Sequence, residues 1–153
     1  MQRLYYLLIA TILLLTASCG LTSGEVVDNL RDAEQAIARG DMKAAQSAGD
    51  YILGDENFSG LSASQLARLS MVYMQLADSV DQTSNIRKAA DLYDRAQSLD
   101  ADSAAEVYNN LPPDQLQYYA AMSEYSASRK SPVSLDSLPE EDEAMELNLD
   151  TLP

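Results

Sequence analysis

At 153 residues the chain has room for one modest domain and not for two large ones. It carries 24 Asp and Glu against 10 Lys and Arg, a formal net charge of −14, and such a surface repels nucleic-acid phosphates and anionic headgroups. No nucleic-acid partner is expected, whereas a basic protein, a divalent cation or a neutral ligand is tolerated. One cysteine excludes an internal disulfide, and the absence of histidine removes the commonest general base, the Ser-His triad and most zinc sites.

In chain order, Met1-Gln2-Arg3 is a short basic leader, followed by the apolar run Leu4 to Ala17 and then Ser18-Cys19-Gly20. This is the pattern of a secretory signal peptide over residues 1–18. The run is shorter than the ~20 apolar residues a spanning helix needs. Thr16-Ala17-Ser18-Cys19 resembles the lipobox of bacterial lipoproteins, with Thr16 standing where Leu is usual. The resemblance implies cleavage between Ser18 and Cys19, acylation of Cys19, and attachment to a membrane through that lipid. Gly20 in place of Asp resembles the signal for outer-membrane rather than inner-membrane sorting, which implies a periplasm-facing position in the cell envelope. The rival is ordinary signal-peptidase cleavage after Ser18 with no lipid.

Residues 19–24 form a small-residue tether, and a helical domain is expected over residues 25–130. A first helix places Val26, Leu30, Ala33 and Ile37 on one face. Gly40-Asp41 ends it and begins the next, with Asp41 as N-cap. The second helix carries a stripe of Ala44, Ala48 and Tyr51. After a polar loop from Gly54 to Gly60, Ser62 to Gln65 has the form of a capping box. It opens a third helix with Leu66, Leu69, Tyr73 and Leu76 on its face. Asp78 to Ser84 is a polar connection, and the fourth helix carries Ile86, Ala89, Tyr93, Ala96 and Leu99. Ser103 to Glu106 has the form of a second capping box, for a short helix ending before Pro112-Pro113. A last helix from about Asp114 carries Leu116, Tyr119, Met122 and Tyr125. Nothing alternates with period two, so the expected fold class is all-α, built of antiparallel helical hairpins.

Leu66-x-x-Leu69-Ser70-x-x-Tyr73 and Ala89-x-x-x-Tyr93-x-x-Ala96 resemble the two helices of a tetratricopeptide repeat, with Leu for the usual Trp and Ser for the usual Gly. The connection between them is about seven residues too long, and Ala101 stands in place of the closing Pro. The resemblance implies that Leu66, Leu69, Tyr73, Ala89, Tyr93 and Ala96 pack one hairpin on the next. It also implies a module that binds peptides or proteins and does not catalyse. The alternative is an irregular helical bundle.

From Ser131 the composition changes: Pro132 and Pro139 appear, basic residues vanish, and Glu140 to Glu143 is an acidic run. Residues 131–153 are expected to be a disordered tail, unable to offset ordering entropy by burial. Ser134-Leu135-Asp136-Ser137-Leu138-Pro139 and Asn148-Leu149-Asp150-Thr151-Leu152-Pro153 repeat one pattern. One use is a short docking motif whose two copies raise effective concentration. Another is modification, since Asp-Ser/Thr-apolar resembles the acceptor of an O-glycosylation system of some Gram-negative gut bacteria. Four such triplets occur, at Asp78-Ser79-Val80, Asp102-Ser103-Ala104, Asp136-Ser137-Leu138 and Asp150-Thr151-Leu152, where composition gives roughly one. Ser137 and Thr151 are the candidate acceptors, the first two triplets fitting helix boundaries.

No nucleophile-base pair and no phosphate-binding glycine loop is legible, and the Asp100/Asp102 spacing lacks the rest of a calcium loop. The expectation is therefore no catalytic residue, no cofactor and no metal. The leading reading is a membrane-anchored lipoprotein, a non-enzymatic interaction or scaffold module with an envelope-protein partner. The alternatives are a surface lipoprotein with a glycosylated tail and, more distantly, a small carboxylate-dependent hydrolase.

Overall fold

A computed structural model describes residues 23–54 and 60–131. The expectations placed on Ser18, Cys19, Ser137 and Thr151, and on most of the tether and tail, lie outside the described residues. The described chain is all-α: α1 (Ser23–Ala38), α2 (Met42–Gly54), α3 (Ala63–Leu76), α4 (Gln82–Leu99), α5 (Ala101–Asn109), a 3-10 turn at Pro113–Gln115, and α6 (Leu116–Lys130). No strand occurs among the described residues. The pairs α1/α2 and α3/α4 pack as antiparallel hairpins, and α3 sits centrally, touching all five other helices. Apart from Ser64, Gln65, Arg68 and Gln75, every residue of α3 is buried, as befits a helix that is apolar nearly all round.

Local chemistry sets the boundaries. Gly40, at φ 76°, lets its own N–H reach the Ile37 carbonyl at 2.8 Å, while the Asp41 N–H reaches that of Ala36 at 2.8 Å. This pair of bonds is a Schellman motif and closes α1. The Asp41 carboxylate then accepts from the Ala44 N–H at 3.0 Å and caps α2. Ser62 and Gln65 form the reciprocal capping box at 3.3 and 2.8 Å.

Several expected boundaries move. Helix α5 begins at Ala101 and not at Ser103, because Asp100 offers two acceptor oxygens where serine offers one hydroxyl. Its Oδ1 takes the N–H groups of Asp102 and Ser103, and its Oδ2 takes the Ser103 hydroxyl. Helix α4 likewise starts early, at Gln82, capped by Asp81. The α3–α4 connection therefore spans only residues 77–81.

The buried stripe of α2 is Ala45, Gly49 and Ile52, one position on from the expected Ala44, Ala48 and Tyr51; Ala44 and Tyr51 face solvent. The cause is steric. Tyr73 of α3 is fully buried, and a Cβ at Gly49 would lie 3.1 Å from its hydroxyl oxygen, so glycine lets α2 settle on the ring without displacing it. Leu99 and Leu116, expected on buried faces, are exposed at the ends of their helices; in α6 the expected Met122 is buried, and so is Ser126.

Gly49→Ala gains about 1 kcal/mol of helix propensity. It loses roughly 1–3 kcal/mol by crowding a ring that is pinned on both sides. The expected outcome is a net destabilisation of about 1 kcal/mol in urea unfolding, smaller in a Tyr73→Phe background where the nearest atom is gone. Equal effects in the two backgrounds would refute this packing account.

Candidate functional site

The first, third and fifth helices line one face of the domain, and a continuous groove runs over it. One hollow of about 460 Å3 has a floor of Ile37 from α1, Met71 and Val72 from α3, and Val107 and Leu111 from α5 and the segment after it. Glu34, Gln75, Asp114 and Gln115 also border it. A second hollow of about 550 Å3 continues between α3 and α5, past Ser64, Ser103, Glu106 and Asn110. The two share Arg68, Val107 and Leu111.

Arg68 stands at this junction. It is the one charged residue of α3, and its Nε and Nη2 donate to the two carboxylate oxygens of Glu34 at 2.8 and 2.6 Å. Such fork-to-fork geometry is the strong form of an ion pair. The Glu34 hydrogen bonds raise the guanidinium further above its ordinary range, outweighing partial burial. With Arg68 neutralised by Glu34, the charge left along the groove is that of Glu106 and Asp114. Sequence reasoning missed this site. The available signal was the isolated Arg68 inside an otherwise apolar helix, which demands a partner and marks the helix's one wet edge.

Formal charge separates by helix. Helices α1, α3 and α5 hold six acidic and two basic residues, net −4, whereas α2, α4 and α6 hold four acidic and six basic, net +2. The helical cations are thus concentrated on α2, α4 and α6, where Lys88, Arg129 and Lys130 are paired with Asp50, Asp91 and Asp94.

The remaining polar clusters join helices. Asp50 of α2 accepts from the Tyr73 hydroxyl at 2.6 Å and from Lys88 of α4 at 2.7 Å, and the Lys88 ammonium lies 4.8 Å from the centre of the Tyr73 ring. Burial alone would raise the Asp50 carboxyl, but the bonds from Lys88 and Tyr73 outweigh it and hold the carboxyl below its ordinary value. Burial, and then the Asp50 carboxylate, push the Tyr73 phenol far up, so it stays protonated. Asp94 follows the same logic: burial opposes ionisation, and Lys130, Ser126 and Arg129 overcome it, tying α6 to α4. Tyr93, Tyr108 and Tyr119 form a ring triangle joining α4, α5 and α6, with centroids 4.8–6.3 Å apart. Ser70, in the glycine position of the repeat pattern, is buried and shares a 3.0 Å hydrogen bond with the Tyr108 hydroxyl.

Of the expected packing residues, Leu66, Leu69, Tyr73, Ala89 and Ala96 are buried and Tyr93 is half-buried; none of them lines the groove. Asp100 and Asp102 sit at the start of α5, where Asp100 serves as the cap. Among the described residues no cluster of acidic or cysteine side chains is placed to hold a metal ion. No described helix is long and apolar enough to cross a membrane. The chain matches no protein-family model, no curated protein and no solved structure.

Asp50 provides the pH test. Its folded pKa lies below the ordinary value of about 3.9, so its contribution to stability is present above that value and fades as pH falls through the folded value. In thermal melts the gap between wild type and Asp50→Asn should be widest above pH 5 and shrink below pH 4. A gap independent of pH contradicts the network. Glu34→Gln, at a pair more than a third exposed, should cost less than about 1 kcal/mol. A larger loss would make the pair a structural element and not a feature of an open groove.

Proposed function

We propose that the chain is a membrane-anchored, non-enzymatic protein-interaction module of the bacterial cell envelope, held by a lipid on Cys19. The observation that carries the interaction reading is the groove over α1, α3 and α5. Its first hollow has an apolar floor, and with Arg68 held by Glu34 the other charged residues on the groove's border, Glu106 and Asp114, are acidic. Charge selects the occupant: a segment of another envelope protein with apolar side chains interspersed with Lys or Arg. The tyrosine hydroxyls and paired carboxylates are occupied in joining helices, which supports binding over catalysis. The anchor draws on the sequence Thr16-Ala17-Ser18-Cys19 alone.

A second reading, a surface lipoprotein with O-linked glycans at Ser137 and Thr151, draws on the fate of the two other triplets. Asp78 accepts the Tyr118 hydroxyl at 2.6 Å, and Ser103 donates to Asp100, so both have structural work of their own. The two tail copies lie outside the described residues. Intact-mass measurement of the native protein decides: an unmodified tail removes this reading.

For the leading reading, photo-crosslinkers at Val107 and at Leu111 in intact membranes should capture a protein whose crosslinked peptide is apolar and basic. Adding 0.5 M salt should weaken the capture. Acidic captured peptides, or crosslinks at neither position, would overturn the groove's role. Palmitate should label the wild type and not Cys19→Ser; label retained by the variant overturns the anchor.

A further inference from the structure

Only residues 20–22 separate Cys19 from the start of α1 at Ser23. Even at full extension such a length of chain places Ser23 no more than roughly 14 Å from Cys19. From Ser23 the helix runs unbroken to Ala38. At ~1.5 Å per residue, Glu34 stands about 17 Å along its axis. Glu34 holds Arg68, and Arg68 lines both hollows of the groove. The junction of the groove is therefore tied to within roughly 30 Å of residue 19, whatever the tilt of the domain.

We propose that the groove's partner is a protein held in the same bilayer, and that the segment it presents lies beside its own membrane attachment. This rests on the reading of Cys19 as acylated and of the groove as an interaction site. Three observations choose the partner. The first is reach: an acyl group on Cys19 keeps the groove in a shallow layer over one membrane, and a segment docked there must enter that layer. The second is size. Hollows of about 460 and 550 Å3 take the side chains of a few residues. A lasting interface between freely diffusing proteins draws on roughly 20–30 residues a side. The third is charge. Glu106 and Asp114 border the groove, and neither is in an ion pair among the described residues, so both are available to a cation. Lys and Arg next to apolar residues is the composition of a chain where it meets a membrane, because long cationic side chains there reach out to the interface.

Shared anchoring makes a small groove sufficient. Two proteins confined to one shallow layer meet at a raised effective concentration without any new contact. A segment too short to bind from free solution is then held, and its charge sets which neighbour is accepted. A partner fixed in a different membrane, or one released into solution, gains nothing from the anchor and meets the same few contacts unaided.

The test places p-benzoylphenylalanine at Val107 in the full chain, crosslinks in intact cells and maps the captured peptide by mass spectrometry. The peptide should lie within about ten residues of the partner's spanning segment or acylated residue, since a chain covers ~30 Å in about nine extended residues. In a second form, residues 1–19 are replaced by a cleavable secretory signal without the cysteine, which releases the same domain from the membrane. At equal abundance and with unchanged circular dichroism, its capture of that partner should fall at least fivefold. A captured peptide remote from the partner's attachment would overturn the proposal, as would a partner with no attachment or one in the opposing membrane. Equal capture by the released form would overturn it too. The mapping is read on the unaltered N-terminus, so it decides even where the released form folds poorly. These outcomes leave the groove and the anchor standing. No capture by the wild type at Val107 or Leu111 removes the groove reading instead, and a wild type without palmitate label removes the anchor, and the proposal goes with either.

Discussion

The fold depends on how a single phenol is housed. Tyr73 lies in the last turn of the central helix with no exposed surface, and a buried hydroxyl without a partner is costly. Asp50 from α2 and Lys88 from α4 meet it, one accepting its proton and the other covering the ring and completing the carboxylate's neutralisation. The contact links helices from two hairpins, so it fixes how one hairpin sits on the next. It also imposes glycine at position 49, since the hydroxyl occupies the space a side chain would need. Hydrophobic burial supplies the bulk of the stability. This polar junction instead selects one register of α2 over its neighbours.

Much of this architecture was legible before any coordinates. The 3.6-residue spacing in α1 and α3 marked the right faces, because both helices bury long, unbranched stripes that packing cannot shift. Asp41, Gly40 and the Ser62–Gln65 box announced their boundaries through specific hydrogen bonds. Periodicity failed in α2, where alanine, glycine and serine alternate and several faces look equally apolar. There the choice was made by Tyr73, which lies on another helix and is invisible to a local window. It failed again at Leu99 and Leu116, where the stripe outlasts the neighbouring helix it would pack on. Asp100 displaced Ser103 as a cap because a carboxylate serves three donors at once.

The groove was not legible, and the reason is general. A groove is made by the distance between helices, and sequence periodicity records only which face is apolar. Ile37 reads as an ordinary core residue, yet it is half-buried, like Val107 and Leu111, because α1 and α5 flank α3 without closing over it. What could have been found was Arg68. A lone cation in a helix apolar on all other sides must lie at an edge, and its partner had to come from another helix.

The placement of charge bears on which segments a groove on so small a domain can hold. Exposed charges interact weakly beyond a Debye length of ~8 Å at physiological salt, so net charge alone does not direct a ligand to one face. Local composition does, because a segment docked in a groove sits within a few ångströms of its border. An acidic segment on the α1/α3/α5 face would bring carboxylates beside Glu106 and Asp114. A basic segment has the reverse preference. The overall charge of −14 favours solubility, and its uneven placement is what provides discrimination.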